Sequence, residues 1–168
     1  LTVLTACKKG QADITVSGTL LEATTLQPIS GATIELVKVY DTEETSVATI
    51  TTDSEGKYAF TTQRDRFQSI KVSASKHGYF SETNSIIFND ITVKEDNVVN
   101  MKTTGKSWVR IRLVHTDSPD TKLDVLRTKG KSGCADCCPD GYRHFEGNID
   151  TTYYCINDAG TMYQITYF

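Results

Sequence analysis

This chain lacks almost every pattern from which an activity is read. No stretch reaches the roughly 18 consecutive apolar residues of a bilayer-spanning helix. No useful window carries the 3.6-residue periodicity of an amphipathic helix. Neither sign of charge dominates, since 18 basic and 21 acidic side chains leave a formal net charge of −3 over 168 residues. With no basic face to neutralise phosphates, nucleic acid is not an expected partner. His77, His115 and His144 are scattered, and no Ser-His-Asp or Cys-His order assembles around them. His77 falls in a turn and His115 at a strand end, where exposed polar residues are common. Asp53 and Glu55 are too few for a calcium loop, which needs a much longer ligand array. Asp53 reads instead as a turn-former bonding its own backbone. No pair among the 21 acids is singled out for glycosidic chemistry. The expectation is a protein that is not an enzyme and needs no cofactor.

What is present is period-2 alternation. Ile14, Val16 and Gly18 alternate with Thr15 and Ser17, as in a half-buried strand. "TTLQPISG" (24–31) is a turn cluster, and "ATIELVKVY" (32–40) follows it as a strand. "VATITT" (47–52) and "KYAF" (57–60) flank "DSEG" (53–56), which reads as a hairpin turn with Gly56 at positive φ. Ile70, Val72 and Ala74 continue the alternation, "KHGYF" (76–80) turns, and "NVVNM" (97–101) closes the set. Many short strands with frequent turn signals predict an antiparallel sandwich.

Four pieces of this stretch resemble, in order, the carboxypeptidase regulatory-like domains. They are Gly18 after the first strand, "QPISGATIEL" (27–36), "TTDSEGKYAF" (51–60) and "IKVSASKHGYF" (70–80). The resemblance covers 13–102 and implies a transthyretin-like, Ig-like β-sandwich. "KTTGK" (102–106) is then a short linker, and 105–168 reads as a second, smaller β-sandwich-like domain. Its strands are "WVRIRLV" (108–114), "LDVLR" (123–127), "TTYYCI" (151–156) and "MYQITYF" (162–168). The fold class is therefore all-β. Residues 13–104 hold 8 basic and 13 acidic side chains, or −5, whereas 105–168 hold 8 of each and are neutral.

The first residues, "LTVLTACKKG", resemble the end of a bacterial lipoprotein signal, with a short apolar run and a lipobox, Leu4-Thr5-Ala6-Cys7. That resemblance implies cleavage before Cys7, its acylation, and tethering by several acyl chains, which hold far better than one. Residues 1–12 are then signal remnant, lipidated cysteine and tether. The basic start of such signals is absent, so the expectation is that the chain lacks its first residues. Surface-exported lipoproteins of Bacteroidota-type bacteria carry acids soon after the cysteine. Here "KKGQAD" follows it, which favours the periplasmic face of the outer membrane over the cell surface.

Cysteine is absent from 13–102 but clusters later as Cys134, Cys137, Cys138 and Cys155. Soft ligands beside His144 fit zinc, and Cys-x-x-Cys fits redox chemistry beside a βαβ unit. No second paired spacing and no βαβ unit is present, and an exported compartment favours disulfides. Four cysteines allow three connectivities. Bonding adjacent Cys137 to Cys138 makes a strained ring, so Cys155 is expected to reach back to the 134–138 loop. The other two then bridge locally or leave one free. A 64-residue domain buries a limited core and gains much from such cross-links.

Aromatics crowd the C-terminus. Tyr163 and Tyr167 are expected to fill the small core, as alternate aromatics on strands do. Trp108, Arg110 and Arg112 share one face of a strand, and tryptophan and arginine are enriched at interfaces. They are the candidate partner-binding residues. With the family resemblance, the expectation is a non-catalytic envelope lipoprotein, an accessory subunit of an outer-membrane transport or assembly complex. The alternative is a carbohydrate-binding or adhesive module that uses aromatic platforms for a glycan.

Overall fold

A computed structural model describes residues 12–116 and 122–168. The chain divides into two compact units, one holding residues up to 77 with 81–103, the other holding 78–80 with 104–168. The expected linker is mostly strand: only Thr104 and Gly105 separate the strand ending at Thr103 from the one opening at Lys106.

The first unit contains β1 (Asp13–Glu22), β2 (Thr33–Val39), β3 (Glu44–Thr51), β4 (Lys57–Gln63), β5 (Ser69–Ser75), β6 (Glu82–Ile87), β7 (Asn97–Val98) and β8 (Met101–Thr103). One sheet runs β3-β2-β5-β6; the other runs β4-β1-β7, with β8 also on β1. Alternation places Ile14, Val16 and Leu20 of β1 in the core opposite Ile34, Leu36, Ile70 and Val72 of the other sheet, all essentially fully buried. Pairing is antiparallel except where β7 and β8 run parallel to β1. "DSEG" is a tight turn, but not a hairpin. Asp53 Oδ1 accepts the Glu55 and Lys57 N–H groups at 2.8 Å, and Gly56 takes φ 72°. The strands on either side then part, β3 to pair with β2 and β4 to pair with β1.

Lys38 occupies a core position of β2 and is 4% exposed. Its Nζ donates to the Gln63 carbonyl at 2.7 Å and to Asp65 Oδ2 at 3.0 Å, and lies 5.3 Å from the Phe67 ring centre. A buried ammonium persists only when paired and hydrogen-bonded. Asp65→Ala strands that charge and is expected to cost about 2 kcal/mol, less than a fully buried pair because Asp65 is partly exposed. Lys38→Met, which removes the charge and keeps the stem, is expected to cost less. Urea unfolding of both variants checks the order.

The second unit contains β9 (Lys106–His115), β10 (Lys122–Lys129), β11 (Tyr142–Glu146), β12 (Ile149–Asp158) and β13 (Gln164–Tyr167). It has a three-stranded sheet, β11-β10-β13, and a two-stranded sheet, β12-β9. Ile111, Val125, Ile149, Cys155 and Ile156 form its small core. Cys138 bonds Cys155 and Cys134 bonds Cys137. The first ties the loop after β10 to the middle of β12; the second closes a turn of that loop. Tyr167 does not fill the core as its alternation suggests. Tyr167 is 72% exposed, because β13 lies at the edge of its sheet, and only Tyr163 is half-buried. Burial is the main influence pushing the Tyr163 phenol pKa up.

Candidate functional site: an exposed tryptophan–arginine face

Along β9, Ser107, Val109, Ile111 and Leu113 turn inward, while Lys106, Trp108, Arg110, Arg112 and Val114 turn to solvent. The alternation read from sequence therefore produces one continuous row. Trp108 is 72% exposed, an extreme value for the largest apolar side chain. Register with β12 widens the row into a face: Tyr154 lies opposite Arg110, and Thr152 opposite Arg112. Tyr154 is itself 63% exposed. Arg112 meets Asp150 at 3.3 Å in an exposed pair of little energetic weight. Arg110 has no acidic partner among the described residues. The face combines an indole, a phenol and two guanidinium groups, side chains of the kinds most often found at binding hot spots.

Beside it lies a cleft of about 340 Å³ lined by Trp108, Asp136, Cys137, Arg143, Tyr153 and Tyr154. Its wall is the 134–138 loop, held to β12 by the Ile156 N–H donating to the Asp136 carbonyl at 2.9 Å. Arg143 closes the inner side, its guanidinium 4.1 Å from the Tyr153 ring centre. The sequence reading missed Tyr154 as a neighbour of Arg110, because cross-strand register is invisible in one chain. It also missed β11, although "YRHFE" (142–146) does alternate. β11 brings His144 Nδ1 to 2.5 Å from Asp124 Oδ1 on an exposed surface and sets His144 nearly parallel to Tyr142, 16° between planes. Elsewhere His77 is exposed, while His115 is half-buried and its Nδ1 finds no partner among the described residues. Cys7 lies outside the described residues. Among those residues, no three His, Cys, Asp or Glu side chains converge as metal ligands, and no helix is long and apolar enough to cross a membrane.

The motif residues of the first unit all serve its construction. Gly18 faces inward opposite Tyr58. A methyl group there would overlap the Val99 carbonyl and lie 2.7 Å from the Tyr58 hydroxyl. That empty space lets Tyr58 cross the strand and donate to the Val99 oxygen. Burial pushes the Tyr58 phenol pKa up, so it stays a donor. Thr52 Oγ1 accepts the Ala32 N–H at 2.9 Å and donates to the Ile29 carbonyl at 2.7 Å, pinning the Pro28–Gly31 turn. None of these groups is left over for chemistry.

Such a fold and motif set define a β-sandwich domain. The sequence profile of the carboxypeptidase regulatory-like domain matches residues 15–104, and the chain belongs to that family. No curated protein matches it. Among solved structures it is similar to the shaft pilin SpaA from Lactobacillus rhamnosus GG, at 10% identity over 94% of this chain and 87% of that chain, TM-score 0.44. It is also similar to the Bacillus anthracis TIE protein, at 11% identity over 94% of this chain and 29% of that one, TM-score 0.46. A mercury-inhibited catechol 1,2-dioxygenase from Acinetobacter sp. ADP1 is similar at 16% identity over 67% of this chain, TM-score 0.38. The chain spans 47% of the dioxygenase and 29% of the TIE protein. Likenesses this distant carry no argument about activity.

Proposed function

We propose that this protein is a non-catalytic accessory module that binds a partner protein through the β9–β12 face. The single observation behind the reading is the solvent-exposed Trp108–Arg110–Arg112 row with Tyr154 beside it. Leaving such a row in water gains nothing for the fold, and covering it by a partner removes a large apolar area from solvent. The protein is a Bacteroidota-type lipoprotein anchored through Cys7 in the outer membrane, facing the periplasm, as a subunit of a transport or assembly complex. The lipobox Leu4–Cys7 and the basic residues after it support that placement, and the two disulfides suit an oxidising compartment.

Metabolic labelling with a fatty acid is expected to mark the wild type and to fail on Cys7→Ala; a labelled variant removes the anchor. For the face, purification from the native membrane with mass spectrometry is expected to recover a defined partner. The Trp108→Ala/Arg110→Glu/Arg112→Glu variant should lose it. Equal recovery by both chains would refute the face. Purified protein is expected to turn over no peptide, ester or glycoside, and turnover abolished by one point mutation would show otherwise.

A second reading, glycan binding, draws on Tyr142 and His144, which are exposed, nearly parallel and next to Asp124. Saturation-transfer NMR with oligosaccharides tests it. Transfer lost in Tyr142→Ala supports that reading, and no transfer excludes it.

A further inference from the structure

We infer that β9 is an acceptor edge, and that the partner docks by adding an extended strand with apolar residues inward and acids outward. The inference rests on the partner-binding reading of the β9–β12 face and specifies how that face is used. Three observations carry it.

The first is the edge itself. β9 has ten residues, and among the described residues it pairs with β12 alone. At its start the Lys106 N–H donates to the Gly78 carbonyl, and Gly105 bridges Tyr79. Beyond Lys106 no other strand among the described residues lies along it. Every second residue therefore presents its N–H and C=O away from β12, as a template for another strand. The sheet is also short by count, two strands facing three.

The second is an apolar cleft at the same margin. It measures about 290 Å³ and is lined chiefly by Leu113 and Val114 of β9, Leu123 and Val125 of β10, and Ile165 and Tyr167 of β13. Leu113, Leu123 and Ile165 are only half-buried. A strand laid beside β9 would point alternate side chains into this cleft and the rest outward. The inward set must be apolar.

The third is charge. The outward residues of β9 include Lys106, Arg110 and Arg112, and Arg110 has no acidic partner among the described residues. Cations on an edge repel a second copy of the same edge. In antiparallel self-pairing centred on Ile111, each Arg110 would stand directly opposite the other chain's Arg112. An incoming strand with Glu or Asp at its outward positions gains the opposite-charge cross-strand pairs instead. The edge is closed to itself and open to an acidic strand. This is strand addition, in which the backbone supplies affinity and alternate side chains supply specificity.

The test uses the full chain and two ten-residue peptides, one alternating Val and Glu, the other Val and Lys. Amide hydrogen exchange of β9 is the readout. The Val/Glu peptide at millimolar concentration is expected to slow the outward-pointing β9 amides by about tenfold or more, and the Val/Lys peptide to leave them unchanged. Arg110→Glu/Arg112→Glu, both exposed and outside the core, should reverse the preference. Four outcomes overturn the inference: no protection of β9, protection at another strand instead, protection by both peptides alike, or a concentration-dependent dimer with β9 protected and no peptide present. Suppose the native membrane partner is lost in the Trp108/Arg110/Arg112 variant while β9 amides exchange freely. The binding face would then stand, and strand addition would fall.

Discussion

Replacing Gly18 by alanine is expected to destabilise the first unit by about 3 kcal/mol, the upper part of the usual range for overpacking a well-filled site. For a unit of this size that is a fall in melting temperature on the order of 15 °C. The new methyl group meets a backbone carbonyl, that of Val99, and not merely the end of a flexible side chain. β1 pairs with β4 over seven residues, with β7 at Val16 and Ser17, and with β8 over Leu20–Glu22, so it has no freedom to move away. Tyr58→Phe alone should cost about 1–2 kcal/mol, because the Val99 oxygen loses its donor. The double variant separates the two contacts. Removing the hydroxyl relieves one of them and leaves the carbonyl in place, so Gly18→Ala/Tyr58→Phe should remain far from rescued. A Gly18→Ala protein that melts within a degree or two of wild type would show that β1 is not held as described.

Loss of the Cys138–Cys155 bond is the second large effect. It joins residues 17 apart, and its two half-cystines are 1% and 3% exposed. Closing such a loop stabilises by about 3 kcal/mol in the chain-entropy picture, a large share of a small unit's total. Cys134 and Cys137 are three residues apart, and the same reasoning gives about 2 kcal/mol for their bond. Cys138→Ala/Cys155→Ala should therefore lower the second unit's transition by more than Cys134→Ser/Cys137→Ser does. Residues 13–102 contain no cysteine, so the first unit's transition should not move. Differential scanning calorimetry of the three proteins, with and without reductant, reads all of this. Non-reducing peptide mapping should recover Cys155 joined to Cys138. Recovery of free Cys155 with stoichiometric zinc would contradict the disulfide, since a thiolate site needs reduced ligands.

The parts of this molecule that were legible in sequence are those dictated by local pattern. Period-2 alternation places Ile14, Val16, Ile34, Leu36, Ile70 and Val72 in the core, and each is fully buried. Asp53 and Gly56 announce a turn through side-chain and backbone chemistry that is local to four residues. Pairing across distance was not legible. Nothing within "DSEG" says that β3 and β4 separate into different sheets, because that choice is made by β1 and β2. Tyr167 alternates like a core residue, yet it stands at a sheet edge, and edge position is a property of the whole topology. The Trp108–Arg110–Arg112 row was legible because it lies on one strand; Tyr154 and the apolar cleft were not, because three other strands supply them.

The family signature and the proposed binding face also fall on different halves of the chain. Gly18, Thr52, Asp53, Gly56 and Tyr58 help explain why residues 15–104 fold, through the contacts each makes within the first unit. Under the proposed reading, specificity resides in the second unit, where Trp108, Arg110 and Tyr154 are exposed. Function sits in sites carried by a fold, not in the fold itself.

Site-specific photocross-linking in the native cell tests the proposed face most directly. A photoreactive amino acid is placed at position 108, 110 or 112 in turn, and at exposed Thr45 of β3 as a control. The expected result is one discrete adduct to the same protein from the three β9 positions and none from position 45. Adducts from position 45 alone, or none from β9, would contradict partner binding through this face.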